Sequence, residues 1–225
     1  MAVGLAAVRV VVTRPRHRAA ELAARIEKLG HEVVVCPLID IQPVGPPELD
    51  VSGYDWVIVT SANGAQELAR RMQGRPRCLA AIGPGTATAL REHELEPDLV
   101  PAVSSQEGLL AELPRPAGRT LFAGAERARR LLVHELEADF VALYRTRELT
   151  PPGFPDADLV LLASASAARA FGRVGRSTPA VSIGPETTRA ARRAGVEVVA
   201  EADPYSVAGL VAAVERVAAA APESA

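Results

Sequence analysis

Cysteine is scarce: Cys36 and Cys78 are the only two in 225 residues. Each lies in an apolar, strand-like run with no metal-ligand spacing and no nearby histidine, which excludes a disulfide framework and reads as buried thiols in a reducing compartment. Charge of one sign is also missing. Lys+Arg 25 against Asp+Glu 27 leaves a net −2, so no global basic field marks a nucleic-acid binder. No run reaches the roughly 18 apolar residues of a membrane span. The N-terminal MAVGLAAVRVVVTRP is broken by Arg9 and has no basic leader, so it reads as a first strand and not a signal peptide. The four histidines (His17, His31, His93, His134) fall in polar helical or turn contexts, read as solvent-exposed, and pair with no Ser, Cys or carboxylate motif. There is no Walker loop, Gly83-x-Gly85 lacks the third glycine of a dinucleotide fingerprint, and no carboxylate cluster suggests a metal. These absences argue against hydrolases, kinases, dehydrogenases and metalloenzymes. Lysine occurs once, at Lys28; in so alanine-rich a chain this reflects base composition, and counting arginines carries little weight.

What is present is a globular chain, 48% hydrophobic and 23% charged, with a length that suits one or two domains. RVVVT (9–13), EVVVC (32–36) and DWVIVT (55–60) are short β-branched runs of strand length. Between them Ala19, Leu22, Ala23 and Ile26 recur at helical spacing, closed by Gly30 as a C-cap; Ala65, Leu68, Ala69 and Met72 repeat the pattern. Strand–helix alternation with continuously apolar strands predicts an α/β fold with parallel sheets covered on both faces.

The chain also repeats itself. YDWVIVTSANGAQELA (54–69) resembles ADLVLLASASAARAFG (157–172), with Asp55 and Asp158, and Ser61 and Ser164, each 103 residues apart. AAIGPGTATALRE (80–92) resembles AVSIGPETTRAARRAG (180–195), and Ser105-x-x-Gly108 matches Ser206-x-x-Gly209, both at an offset of 101. VRVVVTRPRHRAAELAARI matches GRTLFAGAERARRLL more weakly. Two similar α/β units of about 110 residues follow. They can be cut contiguously near 114–118. Alternatively the chain leaves the first unit after Cys36 and returns near Arg147, which would make PLIDIQP (37–43) and YRTRELTP (144–151) paired connecting strands.

A small hydroxyl or glycine recurs at each strand-to-helix turn: Thr60-Ser61-Ala62-Asn63, Gly83-Pro84-Gly85-Thr86, Ser104-Ser105, Ser164-Ala165-Ser166, Gly184-Pro185-Glu186-Thr187 and Tyr205-Ser206. Each taken singly is an ordinary helix cap. Taken together they line the carboxyl edge of parallel sheets, where helix N-termini offer free N–H groups to anions. Two facing units would present up to six such ends to one large polyanion. Arg14 and Arg16 after the first strand, Arg129 in a helix after Gly124, and Arg145 beside Tyr144 would sit at the same edge.

TRP (13–15), PLI (37–39), YDWVIVTSAN (54–63), IGPGTATAL (82–90), Gly124 with Arg129, LYRT (143–146), SAS (164–166), IGPETT (183–188) and DPYSVAGLVAAV (203–214) form nine blocks whose order resembles the uroporphyrinogen-III synthase family. Arg129 fits only with one residue inserted after Gly124, and Ala163 stands where the first repeat has Thr60. The resemblance implies two flavodoxin-like domains joined by a two-stranded β linker, residues 1–37 with 149–225 forming one and 38–148 the other. It implies cyclisation of hydroxymethylbilane, a linear tetrapyrrole with eight carboxylates, with inversion of ring D and loss of water, on the route to haem, sirohaem and cobalamin. Hydroxide would leave the first ring to give an azafulvenium cation, and a spiro intermediate would follow. The family position of the proton donor falls on Tyr144; Arg14, Ser61, Asn63, Thr86, Arg129, Ser164, Ser166, Thr187 and Ser206 become candidate substrate-binding residues. The resemblance further implies a cytoplasmic monomer that uses no metal or organic cofactor, touches neither nucleic acid nor membrane, and takes its substrate from hydroxymethylbilane synthase. Two alternatives are a non-catalytic tetrapyrrole-sensing relative and a glycosyl- or nucleotidyl-transferase. The first would lack its usual DNA-binding segment, since only a solvated AAAPESA follows the last helix; the second would need a phosphate-binding loop.

Overall fold

The computed structural model describes residues 7–220. Residues 1–6 and 221–225, which include the start of the apolar N-terminal stretch and the end of the expected solvated tail, lie outside the described residues. The chain runs β1 (Arg9–Val12), α1 (Arg16–Glu27), β2 (Glu32–Val35), β3 (Ile39–Pro43), β4 (Leu49–Asp50), β5 (Trp56–Val59) and α2 (Ala62–Arg71). It continues through β6 (Met72–Gln73), β7 (Cys78–Ala81), α3 (Pro84–Arg91), α4 (Gln106–Glu112), β8 (Thr120–Ala125), α5 (Leu131–Leu136) and β9 (Asp139–Glu148). It closes with β10 (Leu159–Leu162), α6 (Ala165–Val174), β11 (Ala180–Ser182), α7 (Pro185–Arg193), β12 (Val198–Glu201) and α8 (Val207–Ala220). Two compact units result: residues 1–40 with 147–225, and residues 41–146. The chain passes from the first to the second within β3 and returns within β9.

The first unit holds a five-stranded sheet in the order β12-β11-β10-β1-β2, parallel throughout. Parallel pairing needs crossovers, and the helices that provide them cover both faces. Period-two alternation divides the strands accordingly. Val10, Val12, Leu159 and Leu161 pack with Leu22 and Ile26 of α1 and Leu210 and Val214 of α8. Val11, Val160 and Leu162 pack on the opposite face with Ala168 and Phe171 of α6 and Ala191 of α7. Each fully buried aliphatic side chain contributes about 1.5–3 kcal/mol relative to exposure.

The second unit holds the sheet β3-β9-β8-β5-β7, in which β5, β7, β8 and β9 pair in parallel, and Leu99 adds one parallel bridge beyond β7. Val57, Val59, Leu121 and Ala123 face Leu68 of α2 and Leu90 of α3, while Ile58 and Phe122 face Leu109 of α4 and Leu132 of α5. The strand order Leu99-β7-β5-β8-β9 has the same sense as β12-β11-β10-β1-β2 in the other unit.

The helical stripe of α1 is buried as its spacing predicts, at Ala19, Leu22, Ala23 and Ile26. The helix stops before Gly30, with Lys28 at the C-cap; Gly30 sits in the following turn at φ +87°, a left-handed conformation without penalty only for glycine. Met72 is not helical. It leaves α2 in extended conformation because Met72–Gln73 pairs with Leu49–Asp50 in a two-stranded sheet. His31 is not exposed either: it is 5% accessible, with Nδ1 accepting the Val8 N–H at 3.4 Å, because the turn after α1 folds it under β1.

One polar contact inside the second unit is unforeseen in the sequence. Glu67 and Arg71, each 8% accessible, meet at 2.5 Å across one turn of α2. The guanidinium also donates to the carbonyls of Val44 (2.5 Å), Pro46 (3.3 Å) and Leu143 (2.9 Å). Four acceptors thus satisfy a buried cation, and the helix is tied to β9 and to the segment after β3. Replacing Arg71 by Met leaves the Glu67 carboxylate buried with only the outlying Arg70, and breaking such a pair costs about 3 kcal/mol. Urea unfolding followed by fluorescence of Trp56, the only tryptophan, checks it: Arg71→Met is expected to lower the midpoint strongly, and Glu67→Gln/Arg71→Met to lose less than the sum of the singles.

Candidate functional site

In parallel sheets every strand ends, and every following helix begins, along one edge. In the second unit that edge carries Ser61, Asn63, Thr86 and Tyr144. Ser61 caps α2, its Oγ accepting the Gly64 N–H at 3.0 Å, and the same Oγ lies 2.8 Å from the Tyr144 hydroxyl. Tyr144 is only 6% accessible. A register shift at Gly124–Ala125 sets it opposite Ala125, and its carbonyl accepts the Glu126 N–H at 2.8 Å. The preceding Leu143 carbonyl is the one gripped by Arg71. The phenol is therefore fixed from both ends. Thr86, 5% accessible, lies in the first turn of α3, and half-buried Asn63 in that of α2. The α3 turn needs Gly83, since a Cβ there would run into the Ser104 hydroxyl.

The first unit repeats this edge with different neighbours. Ser164 caps α6 through the Ala167 N–H (3.1 Å), Ser206 caps α8 through the Gly209 N–H (3.1 Å), and Thr187, 4% accessible, sits in the first turn of α7. The Ser166 hydroxyl accepts from Arg169 at 3.2 Å. Arg14 follows the last residues of β1, half-buried; burial pushes its pKa down against the opposing pull of Glu21. A network not foreseen in the sequence joins Ser182 and Thr188 (2.5 Å) and carries on to Glu201. Its three members lie on β11, α7 and β12, and only the pairing of those elements brings them together.

Three expectations need correction or narrowing. Arg129 is not in a helix: α5 begins at Leu131, and Arg129 lies in the turn before it, ion-paired with Glu107 at 2.5 Å. That contact holds the Glu107 carboxyl below the usual range. Arg145 is exposed and donates to the Gln42 side chain at 3.0 Å. Cys36 and Cys78 are free and half-buried, and burial raises both thiol pKa values. Among the described residues no group of three or more His, Cys, Asp or Glu side chains could hold a metal ion, and no helix is long and apolar enough to cross a membrane.

Fold and edge together define the class: an α/β protein of parallel sheets whose strand ends are lined by hydroxyls, capped helix starts and a few arginines. The profile of the uroporphyrinogen-III synthase HemD family matches residues 20–212, and the chain belongs to that family. A Synechococcus elongatus uroporphyrinogen-III synthase is 26% identical across 92% of this chain and 94% of its own length. A Methanocaldococcus jannaschii protein, provisionally assigned the same activity, is 27% identical over 150 residues, so the match spans just under two thirds of that relative, 62% of either chain. The crystal structure of a mutant uroporphyrinogen III synthase from the extreme thermophile Thermus thermophilus shares the fold, with a TM-score of 0.62 at 20% identity, covering 93% of this chain and 98% of that one.

Ser61 and Ser164 cap equivalent helices, yet only Ser61 also meets a phenol. Loss of the cap costs about 0.5–2 kcal/mol at either site. Ser61→Ala is expected to cost about 1 kcal/mol more, the net worth of the added hydrogen bond, read as the difference between the two variants in chemical denaturation.

Proposed function

We propose that this protein closes hydroxymethylbilane to uroporphyrinogen III, inverting ring D with loss of water. The family match over residues 20–212 carries the reading. The site supports it chemically: capped helix starts and arginines suit an eight-carboxylate substrate, and acid–base groups are few. Binding falls to Arg14, Ser61, Asn63, Thr86, Ser164, Ser166, Thr187 and Ser206, through hydroxyls and the backbone N–H groups beside them. Arg129 contributes only after giving up Glu107. Because the spontaneous closure does not invert the ring, holding the chain in one conformation matters as much as acceleration.

Tyr144 is the proposed proton donor to the departing hydroxyl. A phenolic O–H can donate a proton to a departing hydroxyl, which then leaves as water. Ser61 accepts from Gly64, and its Oγ lies within hydrogen-bond distance of the phenolic oxygen, which orients the hydroxyl at the strand end. The pyrrole pushes hydroxide out, the last ring's substituted carbon attacks the azafulvenium, and the spiro intermediate rearranges. We further propose that the units are two flavodoxin-like domains of one duplication, residues 1–37 with 149–225 and residues 38–148, with β3 and β9 as a two-stranded linker. The protein would act as a cytoplasmic monomer supplied by hydroxymethylbilane synthase and feeding haem, sirohaem or cobalamin synthesis.

Supplied with hydroxymethylbilane, the purified protein is expected to give isomer III once the products are oxidised and separated. Isomer I alone would sink the synthase reading and favour a tetrapyrrole-binding relative without turnover.

A placed general acid is worth about 10²–10⁴-fold. Tyr144 is nearly buried and its leaving group departs with electronic help, so Tyr144→Phe is expected to slow isomer III formation only about tenfold, with the fold intact. Full activity in the Phe variant would remove the hydroxyl from the mechanism.

A further inference from the structure

The first unit contains a cavity of about 590 Å³, between the end of β2 and the chain that follows β9. Its volume falls in the range of small-molecule sites, about 300–1,000 Å³. Val35, Pro37 and Leu149 give it apolar walls; Arg16 and Arg147 bring two guanidinium groups to its lining. Both arginines are exposed, and neither makes an ion pair or side-chain hydrogen bond among the described residues. The one carboxylate in the lining, Glu148, is occupied by Arg173. Other arginines of this unit are matched, as Arg25 is with Glu21, Arg176 with Asp156 and Arg189 with Glu186. Two unmatched cations beside apolar walls make a receptor for a flat ring bearing carboxylates, since guanidinium binds carboxylate through a planar fork.

We propose that this cavity holds one carboxylate-bearing pyrrole of the substrate, with Arg16 and Arg147 taking its acidic side chains. The assignment of the ligand rests on the synthase reading, whereas the anion-receptor character of the cavity does not. Arg147 is the part that sequence patterning passes over. It lies beyond the Tyr144–Arg145 pair, and only the return of the chain along β9 brings it to the end of β2.

Cys36 lines the same cavity and serves as a reporter. In a Cys78→Ala protein it is the single thiol, and iodoacetamide at pH 9 measures its accessibility. Uroporphyrin III, a stable octacarboxylate, is expected to slow alkylation at least fivefold and saturably, and Arg147→Gln or Arg16→Gln to abolish the protection. With hydroxymethylbilane each of these variants is expected to raise KM about tenfold while kcat changes less than twofold. Unchanged alkylation with an unchanged KM, while the parent protein still makes isomer III, would overturn the cavity proposal and leave the synthase reading intact. Isomer I alone from the parent, with Cys36 protection still dependent on Arg147, would overturn the synthase reading and keep the cavity as a polycarboxylate site. Protection that persists fully in both Gln variants overturns the role of the arginines.

Discussion

Parallel pairing is the constraint on which the rest of this structure depends. Val10 opposite Leu159 and Val57 opposite Leu121 set neighbouring strands in the same direction. Each strand must then be followed by a helix that returns over a face of the sheet, and all helix starts fall on one edge. Within each unit the hydroxyl caps and the IGP turn share that unit's edge for this reason, and in the second unit Tyr144 joins them. Continuously apolar strands make it possible, because a parallel sheet is buried on both faces.

The two units solve the same local problems with the same residues. Asp55 accepts the Arg119 N–H at 2.8 Å, and Asp158 the Arg9 N–H at 2.7 Å, each joining the start of one strand to its neighbour. At Gly108 and Gly209 a Cβ would collide with the carbonyls of Val103 and Pro204, which close the turn behind each capping serine. The units differ in their buried polar anchors. Glu67 and Arg71 occupy positions that hold Ala170 and Val174 in the other unit, while Thr188, bonded to Ser182 and Glu201, stands where the second unit has Ala87. The caps recur in both units, whereas the buried polar anchors differ. Arg71 fixes the Leu143 carbonyl next to Tyr144, so the placement of the phenol depends on a salt bridge inside α2.

Local pattern by itself determined a good deal. The apolar runs at 9–13, 32–36 and 55–60, the helical stripe ending at Ile26 and the capping serines all depend on neighbours within a few residues, and local interactions place them. Their alternation also determined the α/β class. The recurring hydroxyls at the strand-to-helix turns are legible in the same pattern, and the family resemblance points to Tyr144 as the proton donor.

Contacts between distant segments decided the remainder. An i,i+4 Glu67–Arg71 pair reads as a surface helix pair until three backbone carbonyls close around the guanidinium and bury it. His31 follows a polar turn, yet the N–H of Val8 draws it under β1. Arg129 was expected in a helix but lies in the turn before α5, where Glu107 of α4 neutralises it. Arg16 and Arg147 lie 131 residues apart in the chain, and they line one cavity because β2 and β9 end beside each other. Short-range spacing encodes periodicity and caps, whereas ion pairing, burial of polar groups and the shape of a cavity exist only once remote strands are in register.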